Sequence, residues 1–197
     1  MYVLSHPLHS VDFCAIIFKQ KNRMAKFKIQ QKSSTVNWTG KKVLGLHTGS
    51  INIAKGFIEI TDNTIVGGEI EIDMTSIVIT DIEDKKTHDD FSAHLKNDDF
   101  FSVDKFKTSK LIITGSNKIE GNKSKIEGTL TIKDIAHPIS FITSIEIFTD
   151  TLHSLGEVII DRTLYNIRYG SGKFIDNLGD KLIYDDFVLQ FKLIGQA

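Results

Sequence analysis

From Phe27 onward the dominant hydrophobic period along the chain is two. Phe27 and Ile29 alternate with Lys28 and Gln30, and Val36 and Trp38 alternate with Thr35, Asn37 and Thr39, which predicts two half-buried strands. Ile58 and Ile60 lead through Thr61-Asp62-Asn63-Thr64 into Gly67-Gly68. Then Ile70, Ile72 and Met74 alternate strictly with Glu69, Glu71 and Asp73, a hairpin with one wet and one apolar face. Between Thr87 and Lys96 the period changes: Phe91 and Leu95 stand four apart, with Asp89, Asp90 and Lys96 on other faces. One short amphipathic helix near residues 87–97, capped by Thr87, fits this stretch. Strands resume at Lys110 to Thr114, Lys125 to Lys133 and Ile139 to Phe148, punctuated by Gly121-Asn122 and His137-Pro138 turns. Gly156 to Asp161, a short piece near Ile167 to Tyr169, and Phe187 to Leu193 complete the series.

About eight antiparallel strands with one apolar face each have two economical solutions, a two-layer sandwich or a closed up-and-down barrel. An eight-stranded barrel is wide enough to hold one small ligand, and a single helix interrupting the strands suits a plug or lid at one end. Composition agrees with a mainly β chain: 29 isoleucines stand against 6 alanines among 197 residues, favouring side chains that suit a pleated surface. A chain of this length buries about 70% of its unfolded surface on folding, ample for a real core.

The formal net charge is -1, and arginine occurs only at positions 23, 162 and 168. Without an excess of cations the chain lacks the electrostatic term behind non-specific nucleic-acid binding, so no nucleic-acid partner is expected. No apolar run approaches the roughly 20 residues of a spanning helix. Cys14, the lone cysteine, offers neither an internal disulfide nor a thiolate cluster.

Residues 1–24 differ in texture from the rest and are expected to be a disordered or extra N-terminal segment preceding one domain over 25–197. The apolar stretch from Val11 to Phe18 is followed by Lys19, Lys21 and Arg23, the reverse of a secretory signal. Met24-Ala25-Lys26 reads as a natural start before the first strand, and with it a cytoplasmic location is expected.

Candidate chemistry is sparse. Glu69, Glu71 and Asp73 fall on the polar phase of their strand, which favours a solvated face over paired acid/base catalysis. Asp81, Glu83, Asp84, His88 and Asp89 lack the spacing of a helical histidine pair or an EF-hand loop, so no metal site is expected. No serine stands in a nucleophile elbow, and Tyr169-Gly170-Ser171-Gly172-Lys173 reads as a turn more readily than as a phosphate loop. The thirteen phenylalanines are more informative, because Phe91, Phe100, Phe101 and Phe106 gather around the predicted helix. They suit either core packing or a ligand wall. Arg162 and Arg168 bracket Tyr165 beside Tyr169, a cluster able to bind a polar headgroup or to serve structurally, with Arg162 paired to a nearby carboxylate.

Several blocks in order resemble one family. They are Gly68-Glu69-Ile70-Glu71-Ile72-Asp73-Met74-Thr75-Ser76-Ile77, His94-Leu95-Lys96-Asn97-Asp98-Asp99-Phe100-Phe101, Gly128-Thr129-Leu130-Thr131-Ile132-Lys133 with His137-Pro138, and Ile160 to Gly172 followed by Asn177-Leu178-Gly179-Asp180. From about Ser34 to the end the chain is similar to the YceI-like polyisoprenoid-binding proteins. The resemblance implies a lipocalin-like, eight-stranded antiparallel β-barrel carrying a long isoprenoid or other amphiphilic chain, with no catalytic residues and no cofactor beyond that lipid. Trp38, Ile70, Ile72 and Met74 would then supply apolar wall, and Phe91, Leu95, Phe100, Phe101 and Phe106 the helix-side lid. Leu130, Ile132 and Phe141 would form the opposite wall, and Tyr165, Arg168 and Tyr169 the headgroup end. Gln31-Lys32-Ser33-Ser34-Thr35 replaces the family's usual Asp-x-x-His-Ser opening, and Asp90-Phe91-Ser92-Ala93 its Arg-Asp, so contacts made by those residues elsewhere are not carried over. Many relatives are exported, which makes a periplasmic location the alternative.

Three functions compete: a non-catalytic carrier of an isoprenoid-type lipid such as a polyisoprenoid or isoprenoid quinone, an enzyme acting on a hydrophobic substrate in the same cavity, and a filled barrel acting as an interaction module. A homodimer through an exposed edge or apolar patch remains open.

Overall fold

A computed structural model describes residues 24–197; all but the last residue of the expected extra segment over 1–24 lies outside them. Nine strands of the described residues form one sheet: β1 (Ala25–Ile29), β2 (Thr35–Lys42), β3 (Gly45–Thr61), β4 (Thr64–Ile79), β5 (Thr108–Lys118), β6 (Lys123–Ile132), β7 (Ile135–Ile147), β8 (Thr151–Asp161) and β9 (Ile183–Gln196). The helix α1 (Lys85–Lys96) interrupts them between β4 and β5.

The sheet closes on itself, which decides for the barrel. Each strand from β2 to β9 pairs antiparallel with its successor in sequence wherever the two are adjacent, and β9 returns to pair with both β2 and β1. β1 and β2 each run antiparallel to β3, against different portions of it, so they are two halves of a single stave split by the short 3-10 turn at Gln31–Ser33. The barrel therefore has eight staves. β3 is 17 residues long and β4 16, and register shifts between Ser50 and Asn52 and between Ile53 and Lys55 bend the pair around the cavity. The wet face of β4 is ion-paired: Lys110 lies 3.3 Å from Glu69 and Lys55 3.3 Å from Glu71.

Three local expectations change. His137 and Pro138 lie inside β7; the turn before it is Lys133-Asp134, both with φ above +50°. Pro138 is tolerated because β8 pairs with β7 only from Thr143 onward, leaving an edge-like stretch where a missing N–H costs least. Ile167 to Tyr169 is not a strand but part of an irregular connection entered through a 3-10 turn at Arg162–Tyr165. The helix begins two residues before Thr87 and is capped by Asp84, whose carboxylate accepts from the Thr87 backbone N–H (2.8 Å) and hydroxyl (2.6 Å). Lys85 and Lys86 pair with Asp89 and Asp90 on its outer face, leaving Phe91 and Leu95 to face the barrel.

The barrel end remote from α1 is filled by Phe27, Ile58, Ile126 and Leu152, all fully buried. The end beneath α1 is not.

Candidate ligand-binding site

The α1 end holds an apolar cavity of about 260 Å³. Trp38 of β2 is laid across it because its partner in β3 is Gly49: a Cβ there would stand 2.5 Å from the indole ring. With no side chain in the way, the indole N–H reaches over β3 to donate to the Val78 carbonyl of β4 at 3.2 Å. Ile72, Met74 and Ile77 continue the wall on β4, and Phe91 and Leu95 roof it from α1. The segment after the helix folds back under it. The N–H groups of Phe101 and Val103 donate to the carbonyls of Leu95 and Lys96, and this return sets Phe100 and Phe101 against the cavity.

A second apolar cavity, about 100 Å³, lies deeper and is bounded by Ile70, Ile113, Ile126, Phe141 and Phe191, among others. Ile72, Leu130, Ile160 and Leu189 line both spaces, so the two adjoin inside the barrel across these four side chains, and together they are called the tunnel. On β9 the wall runs from Phe187 through Leu189 and Phe191 to Leu193, six residue steps at about 3.3 Å each, or roughly 20 Å. The hydroxyls near the inner end are satisfied within the protein: Thr143 Oγ1 lies 2.8 Å from Ser154 Oγ and donates to the Leu155 carbonyl. Ser109, beside Ile72 in the ladder, is different. Its hydroxyl lies buried in the outer section with no hydrogen-bond partner, the one orphan polar group on the tunnel wall among the described residues.

The polar groups cluster at the mouth. Lys41, Lys42, His47, Arg162, Tyr184 and Asp186 line it. His47 donates to Asp81, whose carboxylate also accepts from the Thr48 N–H. Burial raises the Asp81 pKa, but these hydrogen bonds outweigh it and hold the carboxyl below its usual range. Arg162, 4% exposed, donates to three backbone carbonyls: Nε to Tyr184 at 3.1 Å, Nη1 to Ile167 at 2.9 Å and Nη2 to Ile183 at 3.0 Å. Burial pushes its pKa down, opposed by Asp185, 3.8 Å away, and by Asp161. Arg162 is thus the pin that holds the β8–β9 connection to the mouth. Arg162→Met should destabilise the protein by about 3–5 kcal/mol, the range for removing one partner from a buried charged network, read by chemical denaturation. A loss under about 1 kcal/mol, the scale of an ordinary surface change, would show that the pin is dispensable.

Of the residues expected at the site, Trp38, Ile70, Ile72, Met74, Phe91, Leu95, Phe100, Phe101, Leu130, Ile132 and Phe141 line the tunnel. Phe106, Tyr165, Arg168 and Tyr169 do not. Phe106 is half-buried in the turn after Ser102, while Tyr165 is buried beneath His137, with ring centroids 5.4 Å apart. Arg168 faces outward over the Phe174 ring, and Tyr169 packs edge-on against His94 of α1. Of the two arginines it is Arg162, not Arg168, that lines the mouth, with Lys41 and Lys42. Sequence reasoning omitted Phe187 and Leu189 from the wall, although their alternation was visible as one strand face.

An up-and-down antiparallel barrel of eight staves with an axial apolar tunnel defines a lipocalin-like cavity protein. The chain belongs to the YceI-like domain family, whose model matches residues 27–194. Solved structures with the same fold include BcnA of Burkholderia cenocepacia, 20% identical over 84% of this chain and 98% of that one with a TM-score of 0.67. A polyisoprenoid-binding domain from Saccharophagus degradans is 14% identical over 89% and 99%, with a TM-score of 0.63. The Campylobacter jejuni YceI protein is 19% identical over 68% and 73%, with a TM-score of 0.51. No curated protein matches the sequence.

Proposed function

We propose that the protein is a non-catalytic carrier that holds one long-chain isoprenoid-type lipid, a polyisoprenoid or isoprenoid quinone, with its tail in the inner section and its polar end toward the mouth. The observation that carries this reading is the sharing of Ile72, Leu130, Ile160 and Leu189 by both cavities, which sets two apolar spaces against each other inside one barrel, the arrangement an extended chain would fill. Binding is driven by apolar burial, about 0.8 kcal/mol for each methylene taken from water before ordering costs. The orphan hydroxyl of Ser109 favours a ligand with a polar atom over a pure hydrocarbon, because that atom would satisfy a group otherwise buried alone. The Saccharophagus degradans neighbour, described as a polyisoprenoid-binding domain, supports the same ligand class.

The enzymatic alternative draws little from the mouth. His47 and Asp81 form a base–orienter pair, but neither serine on the wall meets a base: Ser109 has no hydrogen-bond partner and Ser154 pairs with the Thr143 hydroxyl.

Native mass spectrometry of gently purified protein, followed by solvent extraction, tests the carrier reading. The expected result is one stoichiometric apolar adduct of isoprenoid type. An apo mass unchanged by incubation with quinones and polyprenyl lipids would overturn it. Trp38, the only tryptophan, lines the cavity, so quinone entry should also quench intrinsic fluorescence.

A further inference from the structure

The β2–β3 hairpin turns at the tunnel mouth through Val43-Leu44, and its tip is apolar where turn chemistry calls for polar residues. The other two-residue hairpin turns, Asp62-Asn63 and Lys133-Asp134, have polar side chains and positive φ values between 51° and 60°. Among the described residues Val43, Leu44 and Leu46 are 45%, 69% and 49% exposed. Lys41 and Lys42 stand immediately before them, exposed and on the rim of the cavity. No acidic residue occurs between Ala25 and Ile58, and the tunnel lining carries Lys41, Lys42 and Arg162 against Asp186 as its sole carboxylate. The tip is held in place, since the Val43 N–H donates to the Leu182 carbonyl at 3.2 Å.

We propose that this hairpin docks the barrel on an anionic lipid bilayer. Val43, Leu44 and Leu46 enter the boundary between headgroups and acyl chains while Lys41 and Lys42 meet lipid phosphates, so that the mouth opens onto the membrane and cargo passes without crossing water. Two weak signals, a small apolar insertion and a pair of lysines, give the reversible attachment a shuttling carrier needs. The occupant is a membrane because the apolar tip directly follows two lysines that border the opening of an apolar cavity. The inference rests on the carrier reading for its purpose, but its test is separate from it.

The experiment is co-sedimentation of the full chain with vesicles of equal parts phosphatidylglycerol and phosphatidylcholine, and with phosphatidylcholine alone. Wild type should bind the mixed vesicles, and binding should fall as salt is raised. The double variant Val43→Ser/Leu44→Ser should lose at least about tenfold in vesicle affinity, and Lys41→Gln/Lys42→Gln a similar factor on mixed vesicles only. Because Val43 and Leu44 lie outside the tunnel lining, the serine variant should still load polyprenol from detergent micelles. Equal binding by wild type and the serine variant, or none by wild type, overturns the docking proposal. So does a wild-type dimer that the serine variant dissolves without loss of vesicle binding, since the tip then covers a second copy. Failure of wild type to load lipid from micelles, with vesicle binding intact, sinks the carrier reading instead.

Discussion

Ile72→Trp should abolish retention of long-chain lipid while leaving the barrel folded. Ile72 on β4 borders both cavities, with Ile160 on β8, the stave opposite, and Leu130 and Leu189 completing the set of shared residues. An indole there fills the junction of the two cavities and confines a ligand to the outer one. Each methylene kept out of the inner section forfeits about 0.8 kcal/mol, so excluding four of them removes about 3 kcal/mol, roughly two decades of affinity. The cost to folding is the smaller number, about 1–3 kcal/mol for overpacking, because the added ring enters space that the protein leaves empty. Ile159→Trp is the control, since Ile159 lies 62% exposed on the outside of β8 next to the shared residue Ile160. Native mass spectrometry of the two purified variants should show adduct on Ile159→Trp and none on Ile72→Trp. Full occupancy in a folded Ile72→Trp protein would mean that the two cavities are not one path.

Much of the wall was legible because side-chain direction in a strand is a local property. Ile70, Ile72 and Met74 alternate with charged residues, and this alternation alone assigns them to the inner face of β4. The same logic marks Phe187, Leu189, Phe191 and Leu193, but alternation says only that a face is apolar, not whether it meets another side chain or an empty tunnel. Closure of the barrel was not legible either, since it depends on β9 returning to a stave that β1 and β2 share, a pairing across 141 to 168 residues. Arg162 and Arg168 were indistinguishable by type and spacing. Between them Asn166 adopts a left-handed conformation at φ 57°, which ends the 3-10 turn and sends Arg162 inward and Arg168 outward. Pro138 misled for a related reason: whether proline breaks a strand depends on whether its N–H side has a neighbour, and β8 withdraws from β7 there.

Gly49→Ala should be the most damaging single-methyl change in the mouth. The new Cβ would lie 1.9 Å from the Val78 carbonyl oxygen and 2.5 Å from Cε2 and Cζ2 of Trp38. Neither neighbour yields cheaply, because the carbonyl belongs to the β3–β4 ladder, and the indole is fixed by donating to that same oxygen. Overpacking of this severity costs about 3 kcal/mol, which for a domain of this size lowers Tm by about 6–12 °C. The change also has an optical signature: Trp38 must leave the cavity wall to make room, so its emission should shift to longer wavelength and its quenching by a bound quinone should weaken. Gly115→Ala is the matched control, since a Cβ there meets nothing within 4 Å, and it should behave as wild type in both respects. If Gly49→Ala melts with Gly115→Ala and keeps wild-type emission, then Trp38 is not seated across β3, and the outer wall of the cavity is built from other side chains than the indole.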